Sequence, residues 1–160
     1  MKILKWLDDH LEESFIFVSL SAMSIIIALQ VLMRYVFQAS LSWSEEVARY
    51  LFIWLIYVGI SYGVKKNAHV AVTALDLVLS DKVKHLMKVL SAVIFLVFST
   101  IVVFYGWQVC AKIMRLGQAA PGTGLEMWIV YLAAPAGFAL TSIRLIQLLY
   151  QLLFKHSEKA

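Results

Sequence analysis

The sequence predicts an all-α integral membrane protein with four transmembrane helices and a short interfacial amphipathic helix between the second and third spans. Three observations predict it. Of 160 residues, 62% are hydrophobic and 15% charged, and the mean hydropathy is +0.82. A water-soluble domain is roughly half apolar and has nowhere to hide such an excess, whereas a bilayer is itself an apolar solvent. The apolar residues also gather into four runs, at about 14–34, 45–64, 86–110 and 125–149, each close to the roughly 20 residues that one helix needs to cross. The charges collect at the ends of those runs. Runs and connections together use up the chain as one membrane domain, 1–160, and leave no stretch for a catalytic domain.

Each element has its own local reason. In residues 1–13, Ile3, Leu4, Leu7 and Leu11 fall at helical spacing while Lys2, Lys5, Asp8, Asp9, Glu12 and Glu13 fill the other positions. This is an amphipathic lead suited to the membrane interface. The first run is too long for a signal-peptide core and is followed by no small-residue cleavage site, so it reads as an anchor. Ser42-Trp43-Ser44-Glu45 has the spacing of a capping box for the second helix. Glu45 and Arg49 stand four apart, with the acid first, the favourable order for a helical ion pair. Lys65-Lys66-Asn67 stops that helix. Residues 70–79, VAVTALDLVL, are apolar but only ten long. They are too short to cross, so a surface helix with Asp76 turned to water is expected. Ser80 or Asp81 can cap the third helix, which has Lys82, Lys84 and Lys88 around its start and Lys112 and Arg115 beyond its far end. Residues 118–124, QAAPGTG, form the clear turn region, and Thr123-Gly124-Leu125-Glu126 repeats the capping-box spacing before the fourth span. Pro135 and Gly137 inside that span predict a kink.

Orientation follows from the basic residues. With both termini in the cytoplasm, ten of the 14 lysines and arginines lie inside (Lys2, Lys5, Lys65, Lys66, Lys82, Lys84, Lys88, Arg144, Lys155 and Lys159) and four outside (Arg34, Arg49, Lys112 and Arg115). That is the positive-inside bias, and the inner lysines would meet anionic headgroups. Trp43 and Trp128 would then form an outer aromatic belt, with Trp6 at the inner face.

The chemistry-bearing residues exclude several classes of function. Cys110 is the only cysteine, so neither an intrachain disulfide nor a multi-cysteine metal cluster can form. The net charge of +4 belongs to charge sorting across a membrane and does not point to nucleic acid. His10, His69, His85 and His156 all lie outside the predicted spans, whereas a haem-binding bundle needs histidines inside it; no cofactor and no metal are expected. Without a phosphate-binding loop, a nucleophile elbow or an acid pair, the chain does not read as an enzyme. No acid sits mid-span, where an ion-coupled transporter needs one. A self-sufficient four-span exporter acting as a homodimer is the alternative, but it would need an acid in the first span, which offers only Ser and Gln. Ser19, Ser21, Ser24, Gln30, Thr100 and Gln108 suit hydrogen bonds between helices, and Gly59 and Gly63 give the second span a small-residue face for close approach. Arg34, Trp43, Glu45, Glu46 and Arg49 gather at the outer start of the second span. They form either a self-paired helix start or a docking patch for another protein. Arg144, late in the fourth span, either snorkels to the inner interface or pairs with a partner helix.

Two runs carry a resemblance. SWSEEVARYLFIWLIYVGISYGVKKNAH, with Trp43, Glu45, Glu46, Arg49, Trp54, Gly59 and His69, resembles the small, DctQ-like membrane subunit of tripartite ATP-independent periplasmic (TRAP) transporters. MWIVYLAAPAGFALTSIRLI, with Pro135, Gly137 and Arg144, is similar to the end of the same family. The resemblance implies a bacterial inner-membrane protein and a sodium-coupled system that imports organic acids of the sialic acid or C4-dicarboxylate type. In such a system a large membrane subunit carries the substrate, a soluble periplasmic binding protein delivers it, and the small subunit supports the large one as a scaffold. It makes Arg34, Trp43, Glu45, Glu46 and Arg49 the expected periplasmic docking residues, and His69 and Arg144 the expected partner or lipid contacts on the cytoplasmic side.

Overall fold

The computed structural model describes residues 2–66 and 80–154, with side chains from His10 onward except at 81 and 82. Among the described residues there are five helices: α1 (Lys2–Tyr35), α2 (Ser42–Lys65), α3 (Asp81–Leu116), α4 (Met127–Tyr131) and α5 (Ala133–Phe154). Four stretches of the described residues are long and apolar enough to cross a bilayer: His10–Tyr35, Ser42–Lys65, Val83–Leu116 and Met127–Phe154, the last made of α4 and α5 together. The interfacial helix expected at 70–79, and His69 beside it, lie outside the described residues, as does Trp6 as a side chain.

The helices stand in a row. α1 packs on α2, α2 on α5, and α5 on α3, while α1 and α3 occupy the two ends and do not pack on each other. The described spans therefore form a layer one helix thick, with the fourth span between the second and the third. A helix with neighbours on one side only needs a narrow seam, and the seams of the end helices are small or polar, as close approach in lipid favours. On α1 the buried positions include Glu12, Ser19 and Gln30, while Phe17 and Ile25 point outward at 71% and 68% exposure. On α3 the seam is Ala92, Ser99, Gly106 and Cys110, spaced by one or two turns. Ser99 donates a 2.8 Å hydrogen bond to the carbonyl of Phe138 and meets Ser142 Oγ at 2.7 Å. A Cβ on Gly106 would stand 3.3 Å from Pro135 Cδ. Val64, Ala92, Leu145 and Leu148 join α2, α3 and α5 in an apolar core.

The closest helix crossing is at Gly137. A Cβ there would stand 2.6 Å from Tyr57 Cβ and 2.8 Å from the Tyr57 carbonyl oxygen, so only glycine lets α5 reach the backbone of α2. Gly59, by contrast, has nothing within 4 Å of the position of its missing Cβ. The small-residue contact expected of Gly59 is thus made by the opposite helix through Gly137. The break between α4 and α5 precedes Pro135, as a residue without a backbone N–H requires. Leu132 and Ala136 still bond to Trp128 and Leu132, at 2.9 and 3.0 Å, so the span stays nearly continuous.

Several local expectations are corrected. Residues 2–13 are not a separate lead, because α1 runs without interruption for 34 residues, about 51 Å at 1.5 Å per residue. Glu12 is drawn from its expected polar face into the protein. Neither capping box forms. The residue before α2 is Leu41 and the residue before α4 is Glu126, and neither makes a side-chain cap. Ser44 turns its hydroxyl back to the Leu41 carbonyl at 2.8 Å, and Thr123 Oγ1 accepts from the N–H of Leu125 at 3.4 Å. Ser80 does precede α3, again without a side-chain cap. The 117–126 turn is instead held by backbone: Ala120 N–H to Leu125 O at 2.8 Å and Met127 N–H to Gln118 O at 2.9 Å. Gly117 and Gly124 adopt the left-handed φ values of 59° and 70° that this turn needs.

Candidate functional site

Antiparallel spans bring the start of one helix to the level of the end of the next, and two polar clusters arise in this way at opposite ends of the spans. At the end where α1 begins and α5 finishes, Glu12 of α1 is fully buried. Its Oε1 accepts from Arg144 Nε of α5 at 2.6 Å and from Ser61 Oγ of α2 at 3.2 Å, and its Oε2 accepts from Lys65 Nζ of α2 at 3.0 Å. Arg144 also donates to Gln147 Oε1 at 2.9 Å. One carboxylate therefore ties three helices together, including α1 and α5, which otherwise have α2 between them. In an apolar medium a lone carboxylate or guanidinium is costly to bury, and each is tolerated here because it satisfies the other.

The sequence offers Arg144 snorkelling or a partner helix, and within this chain it meets Glu12. It turns inward onto an acid of its own chain and is 7% exposed. The sequence reading missed Glu12, having placed it among the solvated positions of the lead. A signal was present nonetheless: an arginine inside the fourth span needs a counter-ion, and α1 begins at the depth where α5 ends.

At the opposite end, three of the five expected docking residues, Glu45, Glu46 and Arg49, line one cleft. Glu45 Oε1 accepts a 2.6 Å hydrogen bond from Gln30 Nε2 of α1, and among the described residues no ion pair joins it to Arg49. Glu46 reaches the 117–126 turn, where Oε2 accepts from the Gly122 N–H at 3.1 Å. Gly122 is held so closely that a Cβ there would stand 2.9 Å from that same oxygen. Polar groups of Thr123, Tyr50 and the Gly122 backbone lie around the Glu46 carboxylate. Ser42, Glu45, Glu46, Arg49, Pro121 and Gly122 line a small open cleft between α2 and the turn. Trp43, Arg34 and Arg49 are exposed. Glu126 accepts from the Trp128 indole N–H. The cluster thus splits into two structural acids, Glu45 holding α1 and Glu46 holding the turn, and three outward-facing side chains. The role of Glu46 in fixing the turn has no counterpart in local sequence spacing, because the two partners are 76 positions apart.

Comparison with known proteins gives a consistent result. A family model described as tripartite ATP-independent periplasmic transporters, DctQ component, matches residues 23–155. A putative TRAP transporter small permease protein of Haemophilus influenzae is 31% identical over 136 residues, covering 84% of this chain and 83% of that protein. The C4-dicarboxylate TRAP transporter small permease protein DctQ of Vibrio cholerae is 25% identical over 169 residues, covering 91% of this chain and 72% of that protein. The isethionate TRAP transporter permease protein DctMQ of Oleidesulfovibrio alaskensis is 28% identical over 151 residues, which cover 91% of this chain but 24% of that longer protein. The outer cluster, Gly137 and Arg144 fall within the family match, and Glu12 lies before it.

Proposed function

Because this chain belongs to the family of DctQ components of tripartite ATP-independent periplasmic transporters, we propose that it is the small scaffold subunit of a sodium-coupled importer of organic acids. It is a multi-pass inner-membrane protein and a transporter component, not an enzyme. In the proposed assembly it anchors and supports a large TRAP membrane subunit that moves the substrate. A periplasmic binding protein delivers that substrate, and the chain itself carries none. C4-dicarboxylates, named for the Vibrio cholerae relative, and sialic acid are the substrate classes proposed.

The observation that supports this reading most is the row of helices one helix thick. A transport path has to be enclosed on all sides from lipid, and a single row has no interior in which to enclose one. Three of the described acids are occupied as well. Glu12 is committed to Arg144 and Lys65, and Glu45 and Glu46 are committed to Gln30 and the 117–126 turn. Such a chain gives mechanical support to something else. The ends of the row offer apolar surface for a partner or lipid, and the exposed Trp43, Arg34 and Arg49 are proposed as the periplasmic docking residues. Both termini are proposed to be cytoplasmic, with His69 and the inner lysines at the anionic leaflet. Co-purification tests the reading. A stable complex with a much larger membrane protein is expected, and a lone homodimer as the only assembly would contradict it.

A further inference from the structure

α2 packs against α1 and against the fourth span, α4 with α5, and one side of it is left open. Within an arc of about 80°, at 100° per residue, that side carries Arg49, Phe52, Ile56 and Gly59 in successive turns. Arg49 is exposed, Phe52 and Ile56 are 47% and 42% exposed, and a Cβ on Gly59 would meet nothing within 4 Å. The open side therefore offers a cation near the start of the helix, two apolar side chains below it, and a notch at Gly59 about 15 Å along the axis from Arg49.

Arg49 is the costly member of this stripe. It makes no hydrogen bond and no ion pair among the described residues, although it shares a cleft with Glu45 and Glu46. Those two acids are taken up by Gln30 and by the N–H of Gly122. Arg49 also stands deep. It is 16 positions from Lys65, about 24 Å along α2, whereas a hydrocarbon core is about 30 Å thick. With Lys65 held at one surface by Glu12 at 3.0 Å, the Cα of Arg49 falls about 6 Å short of the other. Arg34 and Arg115, by contrast, stand in the last turns of α1 and α3, where the helix carbonyls favour a cation. A charged side chain within a bilayer pairs with another polar group, and for Arg49 this chain supplies none.

We infer that the open side of α2 seats a transmembrane helix of the large subunit, with a carboxylate of that helix on Arg49 and its closest approach at Gly59. A lipid phosphate is the rival partner for the guanidinium, reached by extending the side chain outward. A lipid tail, however, has no use for a notch, whereas a helix gains from one, because close approach holds helices together in lipid. The stripe thus matches a helix at both of its ends, by charge at Arg49 and by shape at Gly59. The inference rests on the reading of this chain as the small subunit of a TRAP transporter, and it names the face and the chemical group through which that subunit holds its partner.

The test uses the full small chain co-expressed and purified with its large subunit. A photoreactive residue in place of Ile56 should give an adduct with the large subunit. Arg49→Gln should weaken binding of the large subunit by about thirty-fold or more, the loss expected when one side of a desolvated charge pair is removed, and Arg49→Lys should recover most of it. Lys112→Gln removes an exposed positive charge from α3 and should leave binding unchanged. Gly59→Leu should weaken the complex by more than it lowers the thermal stability of the isolated chain, since nothing in this chain occupies the space beside Gly59. Adducts at position 56 with phospholipid alone would give the face to lipid, and adducts between two small chains would give it to a second copy; either result overturns the assignment. So would undiminished binding in Arg49→Gln, or an equal loss in Lys112→Gln. If the unsubstituted chain retains no large subunit, the scaffold reading itself fails, whereas a complex that forms and is indifferent to Arg49 removes this site alone.

Discussion

Replacing Glu12 by Gln removes one negative charge and leaves Arg144 and Lys65 facing a neutral amide. The carboxylate is fully buried, and the side chains of Arg144 and Lys65 are 8% and 18% exposed. Lys65 can turn toward solvent and recover part of its loss, so most of the cost falls on Arg144. Breaking a buried ion pair by removing one partner costs about 3–5 kcal/mol, because a charge is left uncompensated. Loss of a neutral hydrogen bond between membrane helices averages only about 0.6 kcal/mol. The two outcomes are far enough apart to distinguish. The assay is reversible unfolding of the purified chain in mixed micelles, run as a cycle of Glu12→Gln, Arg144→Gln and the double variant. Glu12→Gln should lose about 3–5 kcal/mol, Arg144→Gln should lose less because Lys65 still faces the Glu12 carboxylate at 3.0 Å, and the double variant should lose less than the sum of the two. Losses under about 1 kcal/mol for Glu12→Gln, or additive losses in the cycle, would refute the claim that this carboxylate holds three helices together.

Gly137→Ala should separate α2 from α5, since the added methyl would overlap the Tyr57 backbone; a loss of about 1–3 kcal/mol is expected by analogy with overpacked cores. Gly59→Ala, which meets nothing, should be neutral or stabilising in the same thermal measurement. Glu46→Ala should free the 117–126 turn, seen as faster labelling of a cysteine introduced at Thr123, and should weaken uptake or complex assembly without lowering the amount of small subunit in the membrane. Arg49→Ala should leave the turn labelling unchanged and also weaken assembly; normal assembly in both variants would remove the docking role. Reporter fusions after Glu158 and near Lys66 should read cytoplasm, and those near Ser40 and Gly122 periplasm; a periplasmic signal near Lys66 would reverse the second span.

The spans were legible in the sequence because crossing a bilayer is a one-dimensional requirement: enough apolar residues in a row, with charges at the ends. The kink before Pro135 was legible for a similar reason, since it follows from one missing N–H. Pairings between helices were not. Glu12 and Arg144 are 132 positions apart, and nothing local marks them as partners except that each is costly alone. The capping boxes misled because Ser42 and Glu45 have the right spacing, but Gln30 and the turn of the neighbouring helix compete for the same region. Gly137 was visible only as a residue associated with a kink, and its role in packing depends on Tyr57 of another helix. The order of the row, with the fourth span between the second and third, follows from which seams are small enough to interlock. That is a property of pairs of helices and not of any single one.

The measurement that bears most directly on the scaffold role is sodium-driven uptake of an organic acid into proteoliposomes, with the binding protein supplied outside. The small chain alone should transport nothing, the large subunit alone should transport little or nothing, and the two together should transport. Uptake by the purified small chain alone, or full uptake by the large subunit without it, would contradict the account.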